Sequence, residues 1–118
     1  MSRKANINDP EMKFLYKFNN LGWEASLFPN GGYTTPDLIL SYNNKEYGYI
    51  YLKTNLSRMP INTKKELMDK VNEYINKKDK IFIFSDGIIY DLFLKGKPYA
   101  SLTMPPRPEE VDILLGGK

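Results

Sequence analysis

Two periods of apolar residues run along this chain, and together they predict the order of its elements. A helical period follows Asp9-Pro10, a pair that suits the start of a helix, and stops at Gly22. A second helix is expected from Asn62 or Thr63, where a capping residue precedes an apolar stripe. The apolar stripes of the two helices are Phe14, Leu15, Phe18 and Leu21, and Leu67, Val71, Tyr74 and Ile75.

Between and after these helices, shorter apolar runs bounded by turn residues predict β-strands. Asn43-Asn44 and Asp86-Gly87 are the turn signals that suggest hairpins. The strands are expected at residues 23–28, 37–42, 46–54, 80–84 and 88–94.

The resulting order is αβββαββ, which predicts an α/β (α+β) fold with a single mixed β-sheet flanked by helices. A chain of 118 residues fits one domain. We expect a flexible N-terminus at 1–8, one domain at 9–103 and a Pro-rich C-terminal tail at 104–118. Within the tail, "MPPRPEE" is expected to be irregular, and the final "VDILLGGK" either docks weakly or stays mobile.

Composition removes several kinds of chemistry. The chain has neither Cys nor His, so disulfides, thiolate metal sites and the usual histidine general base are excluded. Any metal would be a hard cation held by oxygen ligands, such as Mg²⁺ or Mn²⁺. The net charge of +3 is compatible with a polyanionic partner.

One stretch, "TTPDLILSYNNKEYGYIYLKT" at 34–54, carries the candidate chemistry. Asp37 opens one predicted strand, and Lys53 lies near the end of the next. Residues i and i+2 on a strand point to the same face, so position 51 and Lys53 would both lie beside Asp37. Position 51 is a tyrosine.

This layout and the element order over residues 9–85 resemble the PD-(D/E)xK nuclease superfamily, which has a restriction-endonuclease-like fold and an αβββαβ core. The nearest likeness is to the N-terminal nuclease domain of type I restriction enzyme R subunits. The matching stretches are "IYLK" at 50–53, "LMDKVNEYI" at 67–75 and "IFIFSDGIIYDLF" at 81–93.

The resemblance implies a metal-dependent phosphodiester hydrolysis site with Asp37 and Lys53 as catalytic residues and Asp37 as a metal ligand. Two carboxylates would hold a cation that activates water and offsets phosphate charge. Tyr51 stands where the second acid belongs, and a neutral phenol is a poor ligand. We therefore expect no cofactor, or only weak Mg²⁺ or Mn²⁺ binding. An acid relocated from another element would come from Glu24, Glu11, Glu66 or Glu73, whereas Glu46 faces away if its strand is regular.

A second candidate surface is the row of Tyr47, Tyr49 and Tyr51, which shares one face with Lys53 on a regular strand. Aromatic rings beside a cation can stack on bases or pack against a protein partner. The plain alternative is an ordinary tyrosine-rich strand, with Asp37 completing a turn and Lys53 a solvated strand end.

Three functions stay open. The leading one is a nuclease-like domain with an incomplete site that binds nucleic acid, or a nucleic-acid-processing protein, as an accessory or inhibitor protein. The others are an active Mg²⁺-dependent endonuclease with a relocated acid, and an interaction module that uses the tyrosine face. We expect no membrane partner, allow for a homodimer, and expect a cytoplasmic protein, in a host cell if the source is viral.

Overall fold

The computed structural model describes residues 10–28, 36–52, 60, 62–63, 65–66, 69, 80–94 and 97–116. The helices are α1 (Pro10–Asn19) and α2 (Pro108–Leu114). The strands are β1 (Glu24–Leu27), β2 (Leu38–Tyr42), β3 (Lys45–Leu52), β4 (Ile81–Ser85), β5 (Tyr90–Leu94) and β6 (Lys97–Leu102). Residues 62, 63, 65, 66 and 69 are also helical and exposed, in agreement with the predicted second helix at those positions. The apolar stripe predicted for that helix lies outside the described residues.

The six strands form one mixed sheet in which sheet order equals chain order, β1-β2-β3-β4-β5-β6. Strands β1 to β3 pair antiparallel, and so do β4 to β6. The pair β3–β4 is parallel, with Gly48 opposite Ile81 and Leu52 opposite Ser85. The α+β class with a single mixed sheet is thus confirmed.

Each face of the sheet carries its own core. The helix face is covered by α1 and α2, and it buries Phe18, Trp23, Leu38, Leu40, Tyr47, Ile50, Ile81, Ile83, Tyr90, Leu92 and Val111. The opposite side, here called the aromatic face, buries Tyr49, Tyr51, Phe82, Phe84 and Phe93. Because successive residues of a strand point to opposite faces, β3 to β5 are apolar on both sides, as expected for the centre of a sheet.

The predicted hairpin between residues 37–42 and 46–54 is present as β2 and β3. Asn43 and Asn44 both have positive φ angles, 52° and 61°, which is the backbone of a tight two-residue hairpin turn. Gly87 (φ 97°) makes the corresponding turn between β4 and β5. The side chain of Asp86 supports that turn, because its Oδ1 accepts hydrogen bonds from the N–H groups of Ile88 and Ile89.

Strand β3 contains a bulge that the sequence pattern does not reveal. Leu40 pairs with Gly48 and Ser41 pairs with Glu46, so Tyr47 has no partner on β2. The extra residue reverses the alternation of the strand. Tyr47 therefore lies on the helix face, whereas Tyr49 and Tyr51 lie on the aromatic face.

The C-terminal part contains two elements beyond the predicted order. Residues 97–102, inside the predicted domain, form the edge strand β6, which pairs with β5. The prediction that "MPPRPEE" is irregular is wrong for its last residues, because α2 begins at Pro108. Pro108 suits the first position of a helix, and the Glu110 carboxylate accepts a hydrogen bond from the Arg107 N–H at 2.7 Å. Val111 is fully buried, so α2 is part of the core.

Candidate functional site

Asp37 is held against the far end of β3. Its backbone N–H donates to the carbonyl of Ile50 at 2.9 Å, and its carboxylate Oδ2 accepts the N–H of Leu52 at 2.8 Å. The β2–β3 register ends with Leu38 opposite Ile50, so Asp37 is the residue next to that pair, and its two bonds to Ile50 and Leu52 place it beside Tyr51. It precedes Ile39 by two residues, which places it on the aromatic face.

Beyond the last backbone pair of β2 and β3, the Asp37 carboxylate takes the place of a backbone carbonyl and accepts the Leu52 N–H. This hydrogen bond holds the end of β3, including Tyr51, next to Asp37. It also engages one oxygen of the carboxylate with a backbone donor. The placement of Asp37 beside position 51 is the juxtaposition that the residue pattern predicted.

Tyr51 is fully buried on the aromatic face. Its ring packs against Phe84 on β4 with ring centroids 5.3 Å apart, and Phe84 packs in turn against Phe93 at 5.2 Å. The position that would carry the second acid is therefore filled by an aromatic side chain that is packed into a core. A carboxylate there would lose its hydration, which is costly unless a cation or hydrogen-bond donors replace it.

Two members of the predicted site, Lys53 and Glu73, lie outside the described residues. Of the other candidate acids, Glu11 is in the first turn of α1, on the helix face, and Glu66 is exposed.

Glu24 pairs with Ser41, four residues along the chain from Asp37. At about 3.3 Å per residue, that separation is about 13 Å along the strand. The register thus separates Glu24 from Asp37 instead of bringing them together.

Glu46 lies on the same face of the sheet as Tyr51, whereas a regular strand would place the two side chains on opposite faces. The bulge at Tyr47 turns Glu46 to the aromatic face, where its carboxylate accepts a hydrogen bond from the Tyr49 hydroxyl at 2.9 Å. Glu46 also pairs with Ser41, so it lies about as far from Asp37 as Glu24 does. Its contact with Tyr49 is local and does not add a ligand beside Asp37.

Within the described ranges, no group of three or more His, Cys, Asp or Glu residues could hold a metal ion. A hard divalent cation prefers several oxygen ligands with formal charge. Asp37 supplies one carboxylate, and one of its oxygens already accepts the Leu52 N–H. The described geometry can therefore offer a cation a single charged side chain at this place.

The predicted tyrosine row is not one surface. Tyr49 and Tyr51 are buried on the aromatic face, and Tyr47 is buried on the helix face. The prediction that the three side chains share a face is wrong because it assumed a regular strand. In this conformation none of the three rings presents an open stacking surface to a ligand.

Tyr47 has partners that the sequence pattern did not suggest. Its hydroxyl donates to Asp112 Oδ1 on α2 at 2.8 Å. This hydrogen bond, with burial as the second cause, raises the pKa of Tyr47 above its ordinary value. Beside it, Trp23 Nε1 donates to the carbonyl of Pro106 at 2.9 Å. The contacts join residues 65 and 83 positions apart, and no local spacing in the sequence points to them.

A further cleft of about 320 Å³ lies along β5 and β6, lined in part by Phe93, Tyr99 and Ser101. A second bulge leaves Tyr99 without a partner on β5, and its side chain is exposed. In the lining of the cleft the Ser101 hydroxyl donates to the Asp91 side chain at 2.6 Å. Asp91 is thus a buried polar residue on β5 with a hydrogen-bond partner on the edge strand.

Among the residues described, no helix is long and apolar enough to cross a membrane. Comparisons of the chain with models of protein families, with curated proteins and with solved structures find no match.

Proposed function

We propose that this chain is a restriction-endonuclease-like domain that has lost one metal-binding acid and binds nucleic acid without cleaving it. The observation that carries the proposal is the position of Asp37. The first acid of the expected site immediately precedes β2 and binds the backbone of Ile50 and Leu52, on either side of position 51. Position 51 is a buried tyrosine instead of a carboxylate.

The topology supports the same proposal. An antiparallel meander β1–β3 follows α1, a connection with helical residues leads to β4, and β4 pairs parallel to β3. This is the αβββαβ order that the residue pattern implied for a nuclease-like core. Because β3 and β4 are parallel, their C-terminal ends lie at the same end of the sheet, next to Asp37. A phosphate would approach the protein at this edge, formed by the strand ends.

Chemistry argues for binding without cleavage. Cleavage by this type of site requires a cation to activate water and to neutralise charge on the phosphate. A single described carboxylate supplies little charge for that cation. The chain's net charge of +3 still favours a polyanion, and Lys53 is the expected contact to phosphate next to this edge.

The experiment combines a binding assay and a cleavage assay on the same oligonucleotides. We expect binding of labelled DNA or RNA that weakens as salt rises, because phosphate contacts release counterions. Lys53→Ala should weaken binding, and Lys65→Ala, at an exposed helical position, is the matched charge control. Incubation with Mg²⁺ or Mn²⁺ should leave the strands intact.

Two results would overturn the proposal. Metal-dependent cleavage by the wild type that disappears in Asp37→Ala and in one Glu→Ala variant would establish a relocated acid and an active endonuclease. Absence of binding to any nucleic acid at low salt would remove nucleic acid as the partner.

A further inference from the structure

The C-terminal segment 103–116, here called the strap, contacts Trp23 and Tyr47 on the helix face, and Tyr42 packs beside Tyr47. We propose that the strap is a removable cover, and that Trp23, Tyr47 and the adjacent Tyr42 form a binding surface for single-stranded nucleic acid. The inference rests on the proposed function in taking nucleic acid as the ligand, but it concerns the opposite face of the sheet from Asp37.

The covered surface has the composition of a base-stacking site. Trp23 and Tyr47 contact each other edge to face with ring centroids 6.0 Å apart, and Tyr42 contacts Tyr47 at 6.2 Å. The Lys45 ammonium lies 5.1 Å from the centre of the Tyr47 ring. Aromatic rings next to a cation are the combination on which successive bases and their phosphates bind.

The described attachments of the strap are hydrogen bonds and apolar contacts, the latter including Leu115, which packs against the core of the helix face. Trp23 binds the carbonyl of Pro106, Tyr47 binds Asp112, and Val111 is the buried apolar residue of α2, together with the buried Pro106 and Pro108. Its outer side is open, since Met104 and Ile113 are 71% and 72% exposed. A helix of seven residues has little stability of its own, so its order depends on these contacts.

The helix of the strap is acidic. Glu109, Glu110 and Asp112 place three carboxylates within one short helix, and no basic residue occupies its last turn. The Asp112 carboxylate accepts the hydrogen bond of the Tyr47 hydroxyl. A bound phosphate oxygen would use the same donor. Glu109 and Glu110 are exposed, so it is Asp112 that presents to Tyr47 a carboxylate where a nucleic-acid strand would present a phosphate.

A cover of this kind lowers affinity by the fraction of molecules in which it is open. Any change that weakens the strap without damaging the surface should therefore tighten binding. Asp112→Asn does this, because it weakens the hydrogen bond to Tyr47 and removes one negative charge. Glu109→Gln removes the same charge from the same helix at an exposed position, and it is the matched control.

The test uses the full chain and a labelled oligothymidylate of about 12 nucleotides, within the range of known single-strand sites. We expect Asp112→Asn to bind about three- to tenfold more tightly than the wild type, and Glu109→Gln to change binding less than about twofold. Trp23 is the sole tryptophan, so its fluorescence should report both strap release and quenching by the bound strand.

A second variant protects the test against a folding defect in Asp112→Asn. Tyr47→Phe removes the same hydrogen bond without changing charge. In it we expect faster hydrogen exchange at the Leu115 amide, which donates to the carbonyl of Val111 in the docked strap. Unchanged exchange in both variants would overturn the idea of a removable cover.

The remaining outcomes separate this inference from the proposed function. Equal tightening in Asp112→Asn and Glu109→Gln would assign the effect to net charge and overturn the strap. Unchanged affinity in Asp112→Asn despite faster exchange would overturn the aromatic surface, while Lys53-dependent binding by the wild type would leave the proposed function standing. No binding by any variant, including the wild type, would overturn both.

Discussion

Tyr47 and Tyr51 lie four residues apart on β3, and both are buried, but they belong to opposite faces of the sheet. Tyr47 is in the bulge, and its hydroxyl is fixed by Asp112 on α2. Tyr51 is in the regular part of the strand, where its ring packs on Phe84 beside the position of Asp37. The bulged end of the strand joins the C-terminal helix to the sheet, whereas the regular end fills the space next to Asp37 with a buried aromatic ring.

This difference separates two reasons for a buried tyrosine. At position 47 the hydroxyl matters, because it makes a long-range hydrogen bond. At position 51 the volume of the ring matters, because it occupies a core between β3 and β4. Substitutions that change charge, volume or the hydroxyl alone can separate these two roles.

The largest effect is expected at position 51. Tyr51→Glu removes a buried ring and introduces a carboxylate without hydration, and it should lower the free energy of unfolding by at least about 4 kcal/mol at pH 7. The loss should be smaller in acid, because burial raises the pKa of the new carboxyl and favours its protonated form. Urea unfolding at pH 7 and pH 5 measures both effects.

Metal dependence sharpens this result. If Asp37 and position 51 meet, Mn²⁺ should recover part of the stability of Tyr51→Glu and none of that of Tyr51→Gln, which has the same size without the charge. Equal behaviour of the two variants in Mn²⁺ would indicate that a carboxylate at position 51 does not share a cation with Asp37.

The second largest effect is expected at Gly48, which lies between Tyr47 and Tyr51 on β3. A Cβ built on Gly48 would lie 2.2 Å from the carbonyl oxygen of Ile81, so backbone would have to move. Gly48→Ala should lower the free energy of unfolding by about 3 kcal/mol, at the upper end of overpacking costs. Gly116→Ala, with open space around it but a positive φ, is the control and should cost about 1 kcal/mol. A similar small cost at both positions would contradict the close approach of β3 and β4 at Gly48.

A smaller effect is expected from the hydroxyl of Tyr47. Tyr47→Phe should lower stability by about 1.5 kcal/mol, because Asp112 loses a donor. The pKa of Tyr47 is raised in the folded state, so its contribution is fully present below the ordinary tyrosine pKa of about 10 and is lost as pH rises through the folded-state pKa. The stability difference between wild type and variant should therefore be constant from pH 7 to about pH 9.5 and shrink above about pH 10.

Unfolding curves at several pH values test this expectation. Tyr16→Phe, at a tyrosine that is 47% exposed, is the control for general alkaline ionisation and should show no such change. A pH-independent difference for Tyr47→Phe would contradict a role for its proton in the bond to Asp112.

The smallest effect has the opposite sign. Tyr90 is buried on the helix face between Phe14 and Phe18, and its hydroxyl has no hydrogen-bond partner in the structure. Tyr90→Phe removes a desolvated polar group and keeps the ring, so it should raise stability by up to about 1 kcal/mol. A thermal or urea unfolding curve is sufficient. A clear loss of stability would reveal a bound water that satisfies the hydroxyl.

The sequence predicted those parts of the fold that local patterns determine. The hairpin at Asn43-Asn44, the start of α1 at Pro10 and the single mixed sheet all follow from periodicity and turn residues. The turn alone does not bring Asp37 to residue 51, because a regular ladder from Tyr42 opposite Lys45 would pair Asp37 with Ile50. The extra residue Tyr47 moves the register by one position toward Tyr51.

The features that were missed depend on contacts across the chain. The bulge at Tyr47 reverses the face of two residues, and alternation alone does not reveal it, although the adjacent Gly48 is a residue that often marks a bulge inside a strand. Helix α2 forms where Pro108 begins a helix that is stabilised by burial of Val111, although Pro-rich composition suggested an irregular segment. The partners of Trp23 and Tyr47 lie on that helix segment, so their roles could not be inferred from strand alternation.

The return of the C-terminal strap to Trp23 and Tyr47 also affects the cooperativity of unfolding. The sheet consists of two antiparallel meanders, β1–β3 and β4–β6, that share only the parallel pair β3–β4 as neighbouring strands. The strap follows the second meander in the chain but docks on the first, so it is a second link between them. Neither meander can open without disturbing contacts of the other, which favours unfolding in one transition over stepwise loss of halves.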